Sequence, residues 1–195
     1  MSLADAEVSE GRRRLLDAAN ELFSRGSYLE VTVAQILEAG GVRAPSLYYH
    51  FRDKEDLYVA WAEDAMDRLG ERLSREQAEW LSVHEGLTRF VSALSDDAAP
   101  NWMGMLQDAR RLERPESGER IASAFYGKLF EPLCGTLLRA MERGELRSES
   151  VSRLAALFLA GVLGLGPTSV IPGSPGLGDP TWWPKRFADA FKPQP

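Results

Sequence analysis

Thiol and imidazole are scarce in this chain of 195 residues: one cysteine, Cys134, and two histidines, His50 and His84. A single thiol cannot form an internal disulfide, and no Cys/His cluster has metal-site spacing, so neither a metal nor a cofactor is expected. A general base needs an orienting partner. His50 has no Asp, Glu or His at useful spacing, His84 lies far along the chain, and Cys134 falls on an apolar helix face where it reads as a buried thiol. No catalytic residue is therefore assigned, and the chain is not expected to be an enzyme. Apolar stretches long enough to cross a membrane without charge or breaker are also missing. Met1 to Glu10 is polar and acidic, with no apolar run of signal-peptide length, and a cytoplasmic protein is expected. Net positive charge is absent as well, with 29 acidic against 23 basic residues, a net charge of −6 and a pI of about 5.1. This counts against a non-specific nucleic-acid binder, because affinity for phosphate would have to come from a local surface.

Against these absences, 44% of the residues are hydrophobic, enough for one or two compact domains with a full core. The chain is organised around Thr32 to Leu57. Thr32 can cap a short helix with Val33, Ile36 and Leu37 on one side, and Gly40-Gly41 stops it. A second short helix follows from near Arg43, with Pro45 tolerated in its first turn, and carries Leu47, Tyr48 and Phe51. Two short helices joined by a Gly-containing turn describe a helix-turn-helix, whose second helix can enter a DNA major groove.

With Thr32, Ile36, Gly41, Val42, Leu47, Tyr48, His50, Phe51 and Lys54 all at matching positions, residues 10 to 60 resemble the DNA-binding domain of the tetracycline-repressor (TetR) family of bacterial regulators. Three positions depart from the family pattern: Leu37 and Gly40 stand where alanine is usual, and Arg43 where a serine cap is usual. The resemblance implies an all-α fold, with a three-helix DNA-binding domain over residues 1–55 and an effector-binding and dimerisation bundle over residues 56–195. By the same resemblance Tyr48 goes to the DNA backbone, Tyr49 lies nearer the groove, and His50 donates to a phosphate or packs under the recognition helix.

The residues themselves add detail. Arg43 at the head of the recognition helix has the fork that pairs with guanine O6 and N7, its alternative being a phosphate contact, while Ala44 and Pro45 offer only apolar contact, for instance to a thymine methyl group. Lys54 starts the next helix, where it adds charge to amides that favour an anion, or pairs on the surface with Asp56 or Glu55. The expected DNA-contacting set is Thr32, Arg43, Ala44, Pro45, Ser46, Tyr48, Tyr49, His50 and Lys54. Upstream, Ser9 caps a helix carrying Leu15, Ala18, Ala19, Leu22 and Phe23. Three arginines, Arg12 to Arg14, fall in its first turn, either as phosphate contacts or as a solvated helix start.

From Lys54 a helical pattern runs to about Leu81, with Leu57, Trp61, Ala65, Leu69 and Leu73 every four residues, a lever between the two parts of the chain. Further helical runs carry Leu87 to Leu94, Trp102 to Leu106, Ile121 to Met141 with a kink at Pro132, and Leu154 to Leu165. Gly161 and Gly164 in the last suggest close approach of another helix, and the resemblance places a dimer interface on these late helices. Gly166 to Pro180 reads as a long loop, followed by a terminal helix with a Trp183, Phe187 and Phe191 stripe that packs on a partner or caps the bundle. A mostly apolar cavity with aromatic and thioether lining suits a hydrophobic effector, and Trp61, Phe90, Trp102, Met103, Met105, Leu106 and Phe125 are its candidates, each of which is otherwise plain core. The reading is a homodimeric regulator, a repressor, on a palindromic double-stranded DNA operator, released by a small apolar effector. The alternative is a helical protein-interaction module that does not read DNA.

Overall fold

In the computed structural model, residues 3–76, 80–95, 100–164 and 182–193 are described, and among them every regular element is helical. The helices are α1 (Leu3–Phe23), α2 (Val33–Ala39), α3 (Ala44–His50), α4 (Lys54–Glu76), α5 (Val83–Leu94), α6 (Trp102–Ala109), α7 (Pro115–Phe125), α8 (Glu131–Glu142), α9 (Val151–Gly164) and α10 (Trp182–Ala190), with a π-helical segment, Tyr126–Phe130, joining α7 to α8. The expected all-α class is observed, with the helix-turn-helix at the N-terminal end. The expected long loop, Gly166 to Pro180, lies outside the described residues.

Two boundaries differ from the sequence reading in ways that matter. Helix α1 begins at Leu3, not after a Ser9 cap, so Arg12 to Arg14 sit well inside the helix and are not exposed to the dipole at its first turn. The run from Ile121 to Met141 is interrupted by the π-helical segment, where the Glu131 N–H donates back to the Tyr126 carbonyl. Pro132 follows in the first turn of α8. Proline has no N–H and its ring crowds the carbonyl four residues back, so the wider turn just ahead of it accommodates what was expected as a simple kink.

Contacts group the chain into two compact units, Met1–Ala65 with Ala98–Ala124, and Met66–Asp97 with Phe125–Pro195. The division falls within α4, and α6 and α7 group with the helix-turn-helix, whereas the functional boundary expected from the sequence lies at 55/56. In the first unit α2 and α3 both pack on α1. Its core combines Leu15, Ala19 and Phe23 of α1 with Ile36, Leu47, Phe51, Leu57, Tyr58 and Trp61. Phe23 meets Tyr58 edge-on with ring centroids 4.8 Å apart, and Tyr28 meets Tyr58 at 5.1 Å. Such edge-to-face pairs stabilise by about 0.5–1.5 kcal/mol beyond their buried area.

The second unit packs α5 against α8 and α10, and α8 against α9. Its centre is aromatic: Phe158 of α9 lies 6.2 Å from Phe90, 5.1 Å from Phe187 and 6.4 Å from Trp183, centroid to centroid. The Trp183 indole N–H donates to the Phe158 carbonyl at 3.1 Å. The terminal aromatic stripe therefore caps the bundle of its own chain. Gly161 is explained by the same packing, because a β-carbon there would clash with the Trp183 ring. Its close neighbour is α10 of the same subunit. Gly161→Ala should therefore force the Trp183 indole off α9 and cost about 1–3 kcal/mol of stability, read as a lowered urea midpoint with altered tryptophan fluorescence.

Candidate nucleic-acid interface

The recognition helix is assembled from local rules. Thr32 caps α2 as expected, and the cap is reciprocal. Its hydroxyl accepts from the Gln35 N–H at 3.3 Å and donates to Gln35 Oε1 at 2.9 Å, and its own N–H donates to the same oxygen at 2.8 Å. This capping box commits the Thr32 hydroxyl within the protein. Gly41 closes the turn at φ +60°, a left-handed conformation that costs an L-residue roughly 1–2 kcal/mol. At Gly40 a β-carbon would sit 3.3 Å from the Arg14 carbonyl oxygen and 3.5 Å from the Ala18 β-carbon. That departure from the usual alanine lets α1 and α2 approach closely.

Helix α3 then presents two faces. Leu47 is fully buried and Phe51, at the C-cap, is buried beneath the helix. Arg43, Ala44 and Pro45 are exposed, as are Tyr48 at 60% and Tyr49 at 71%. Arg43 is the N-cap residue but makes no capping hydrogen bond with its side chain. Ser46 and His50 are half-buried and face α1: a β-carbon on Gly11 would lie 3.1 Å from His50 Nε2 and 3.3 Å from Ser46 Oγ. The His50 pKa lies below its usual value, first because burial disfavours the cation and then because of the Arg12 charge. Arg12 itself stands over the Phe51 ring, 5.5 Å from its centroid. Arg13 and Arg14 instead share the Glu10 carboxylate, at 2.7 and 3.1 Å.

Lys54 takes neither role expected of it. Its ammonium donates to the carbonyls of Tyr28 and Val31 at 2.8 and 3.1 Å, and lies 4.1 Å from the Tyr28 ring centroid. It thus ties the start of α4 to the turn between α1 and α2. Burial lowers its pKa, and the nearby Asp108 charge partly offsets this. Asp108, buried on α6, accepts from the Tyr28 N–H at 2.7 Å and from the Tyr58 hydroxyl at 3.3 Å. Burial, chiefly, together with the Glu55 and other carboxylate charges, pushes the Tyr28 phenol up to about 12.

A second polar cluster surrounds the start of α4. Arg114 donates to both oxygens of Asp53, at 2.6 and 3.0 Å, and its Nε lies 3.1 Å from the buried Glu55 carboxylate. Glu55 also accepts the N–H groups of Glu113 and Arg114 at 2.9 and 3.2 Å, just ahead of α7. Burial alone would raise the Glu55 pKa, but hydrogen bonds from Ser117 and from these two amides lower it. Asp53, Asp108 and Arg114 were not singled out from the sequence, and Glu55 was expected only as a surface partner of Lys54, whereas it is buried. Their partners are 50 to 80 residues away, at a separation where spacing carries no signal.

The effector candidates are divided between the two units. Trp61, Trp102, Met103, Met105 and Leu106 belong to the first unit, and Phe90 and Phe125 to the second. Trp61 is core, its indole N–H donating to Asn20 Oδ1 at 3.2 Å, and Trp102, Met105 and Phe90 are also buried, while Met103, Leu106 and Phe125 are half-buried. The second unit has a cleft of about 620 Å³ lined by His84, Glu145, Lys185 and Asp189 among others, and another of about 590 Å³ lined by Asp67, Glu71, Arg75 and Lys128 among others. No effector candidate lines either. Among the described residues no three His, Cys, Asp or Glu side chains are grouped to hold a metal ion. Cys134 is half-buried, and burial followed by the Glu131 charge raises its thiol pKa. No described helix is long and apolar enough to cross a membrane.

A buried-backed helix with an exposed Arg-Tyr-Tyr face, carried on a capped helix-turn-helix within an all-α chain, defines a DNA-binding regulator of the helix-turn-helix class. Residues 15–61 match the model of the bacterial regulatory proteins, tetR family. The chain is 31% identical over 162 residues to the HTH-type transcriptional repressor Rv1474c of Mycobacterium tuberculosis, covering 83% of this chain and 82% of that protein. It is 25% identical over 154 residues to the fatty acid metabolism regulator protein of Bacillus subtilis, covering 77% and 78% respectively. In fold it is similar to a Saccharomonospora viridis protein in complex with choline, with a TM-score of 0.75, 20% identity and coverage of 93% and 95%. It is likewise similar to Bacillus subtilis FadR in complex with stearoyl-CoA, with a TM-score of 0.66, 21% identity and coverage of 78% and 83%. The chain belongs to the TetR family of transcriptional regulators.

The Asp53–Arg114 pair carries an acid dependence. Its carboxyl sits at about 2, held there first by the Arg114 hydrogen bond against an opposing burial effect, and further by the Asp56 N–H. Because the folded value lies below the ordinary 3.8, the contribution is present above about pH 4 and lost as pH falls toward 2. Asp53 is about two-fifths exposed, so solvent screening keeps the effect small. Denaturation of Asp53→Asn and the wild type across roughly pH 2 to 5 should show a shallower acid decline for the variant.

Proposed function

We propose that this regulator is a cytoplasmic homodimeric repressor that reads a palindromic operator through the exposed face of α3 and is released by a small apolar effector. The observation that carries the DNA-reading part is the sidedness of α3. Leu47 is wholly buried, while Arg43, Ala44, Pro45, Tyr48 and Tyr49 stand together in solvent. Seven residues with one anchored side and one bare side make a probe for a groove. Within this set Arg43 reads a base and Tyr48 and Tyr49 contact backbone and groove edge, while the half-buried His50 beside them reaches a phosphate from the end of the helix. The part-buried hydrogen bonds of Lys54 and the exposed capping box of Thr32 make them supports for this surface.

A palindrome requires two recognition helices about 34–36 Å apart or a multiple of that, hence a dimer. Support for a dimer comes from α8 and α9, which pack side by side and leave Leu138 and Leu157 about half exposed. Ala156 and Ala160 on the same helix as Leu157 are exposed as well. Small residues between apolar ones suit a close two-fold helix contact. An apolar effector is supported by the accessible Met103 and Leu106 on α6, a helix grouped with the DNA-reading unit. The stearoyl-CoA and choline complexes of the structurally similar proteins make a small-molecule effector reasonable without naming one for this chain.

Selection of bound sequences from random duplex DNA at physiological salt tests the reading, since specific and non-specific affinities typically differ by about 10³ or more. A palindrome should be enriched, and a folded protein that enriches nothing would sink the proposal in favour of an interaction module. On the selected site Arg43→Ala should relax preference at one base pair per half-site, removing about 1–3 kcal/mol of discrimination. His50 adds a pH signature. Its free pKa is depressed, and a phosphate would favour the cation, so operator affinity should rise as pH falls through the imidazole range. His50→Gln should flatten that rise in an anisotropy titration, and an unchanged profile would remove His50 from the phosphate contacts.

A further inference from the structure

The helix-turn-helix is held ahead of α2 and beyond α3 by Asp108 and Arg114, which lie far outside it in sequence, together with Lys54 of α4. The turn between α1 and α2 is gripped from two sides. Its Tyr28 N–H donates to Asp108 of α6, and its Tyr28 and Val31 carbonyls accept from Lys54 of α4. Asp108 is only 4% exposed, so this carboxylate is committed to the turn and to the Tyr58 hydroxyl. The chain leaves α3 through Phe51 and reaches Asp53 two residues later. There Arg114 takes both carboxylate oxygens while Glu55 binds the elbow that carries Arg114. A third link, Arg120 to Glu63 at 2.6 Å, fastens α7 further along α4.

We propose that Asp108 and Arg114 are positioning residues for operator recognition, fixing the entry to α2 and the exit from α3 so that Arg43, Tyr48 and Tyr49 are presented in one orientation. The proposal rests on the DNA-reading function of α3. The physical ground is that α2 and α3 have seven residues each, too short to hold an orientation unaided, whereas short hydrogen bonds to carboxylates sheltered from water tolerate little displacement. Neither residue is a base or phosphate contact. Each acts through backbone that carries the contacts.

The test uses the full-length protein and the duplex selected above, with anisotropy titrations at several salt concentrations. Failure of the wild type to bind any selected duplex would overturn the DNA-reading function, and this proposal with it. With wild-type binding in hand, Arg114→Met and Asp108→Asn should each weaken operator affinity about threefold to thirtyfold while leaving the salt slope unchanged, and Arg114→Lys should recover part of the loss. A slope reduced by about one would make Arg114 a phosphate contact and overturn the positioning role. A lowered melting temperature with unchanged affinity would make either residue merely structural. Should the variants not fold, hydrogen exchange on the wild type decides. Operator binding should increase protection of the Tyr28, Glu113 and Arg114 amides, and unaltered exchange there would refute the coupling.

Discussion

A seven-residue helix in water does not persist by itself, because nucleation is costly and so few internal hydrogen bonds repay it. The DNA-reading function of this protein depends on that constraint being met from outside α3. Burial of Leu47 and Phe51 supplies the apolar part. Leu47 is fully removed from water, which contributes roughly 1.5–3 kcal/mol and rotates the helix so that Tyr48 and Tyr49 face outward. Local geometry and polar bonds supply the rest: a capping box at Thr32, a left-handed glycine at position 41, the grip of Lys54 and Asp108 on the flanking backbone, and that of Arg114 on the Asp53 carboxylate.

Charge is used in the same economical way. The chain is acidic overall, yet many of its carboxylates near the DNA-reading unit are engaged by arginines. Glu10 holds Arg13 and Arg14, Asp53 holds Arg114, and Glu63 holds Arg120. Exposed pairs of this kind contribute little to stability. Their consequence is local, since a carboxylate already paired repels a phosphate less than a bare one. Arg43 and Arg12, by contrast, have no ion pair among those described, and Arg43 is exposed at the head of the recognition helix. On the proposed reading, attraction to DNA from an acidic protein comes from a small surface.

The second unit shows a different logic, in which shape dominates over charge. Phe158, Phe187 and Trp183 interlock, and Gly161 exists to admit the indole. With α10 packed over Phe158 and Gly161, Ala156, Leu157 and Ala160 of α9 stay exposed. The π-helical segment before Pro132 serves a similar geometric purpose, widening the turn where a regular one would be crowded.

The sequence by itself determined the helix-turn-helix. Thr32, Gly41, Leu47 and Phe51 act on neighbours three or four residues away, and caps, turn glycines and buried helix positions obey rules of that range. It also determined the all-α class and the approximate positions of the later helices, through apolar spacing. Only the tertiary structure decided what Lys54 does, because its acceptors at Tyr28 and Val31 are more than 20 residues distant and no local rule links them. The same holds for Asp108 on Tyr28 and Arg114 on Asp53, and for Gly161, which looked like an interface residue until Trp183 was seen above it. Apolar candidates such as Trp61 and Met105 were indistinguishable from core for a related reason. Hydrophobic spacing reports that a side chain is buried, and only the fold determines whether protein or ligand covers it.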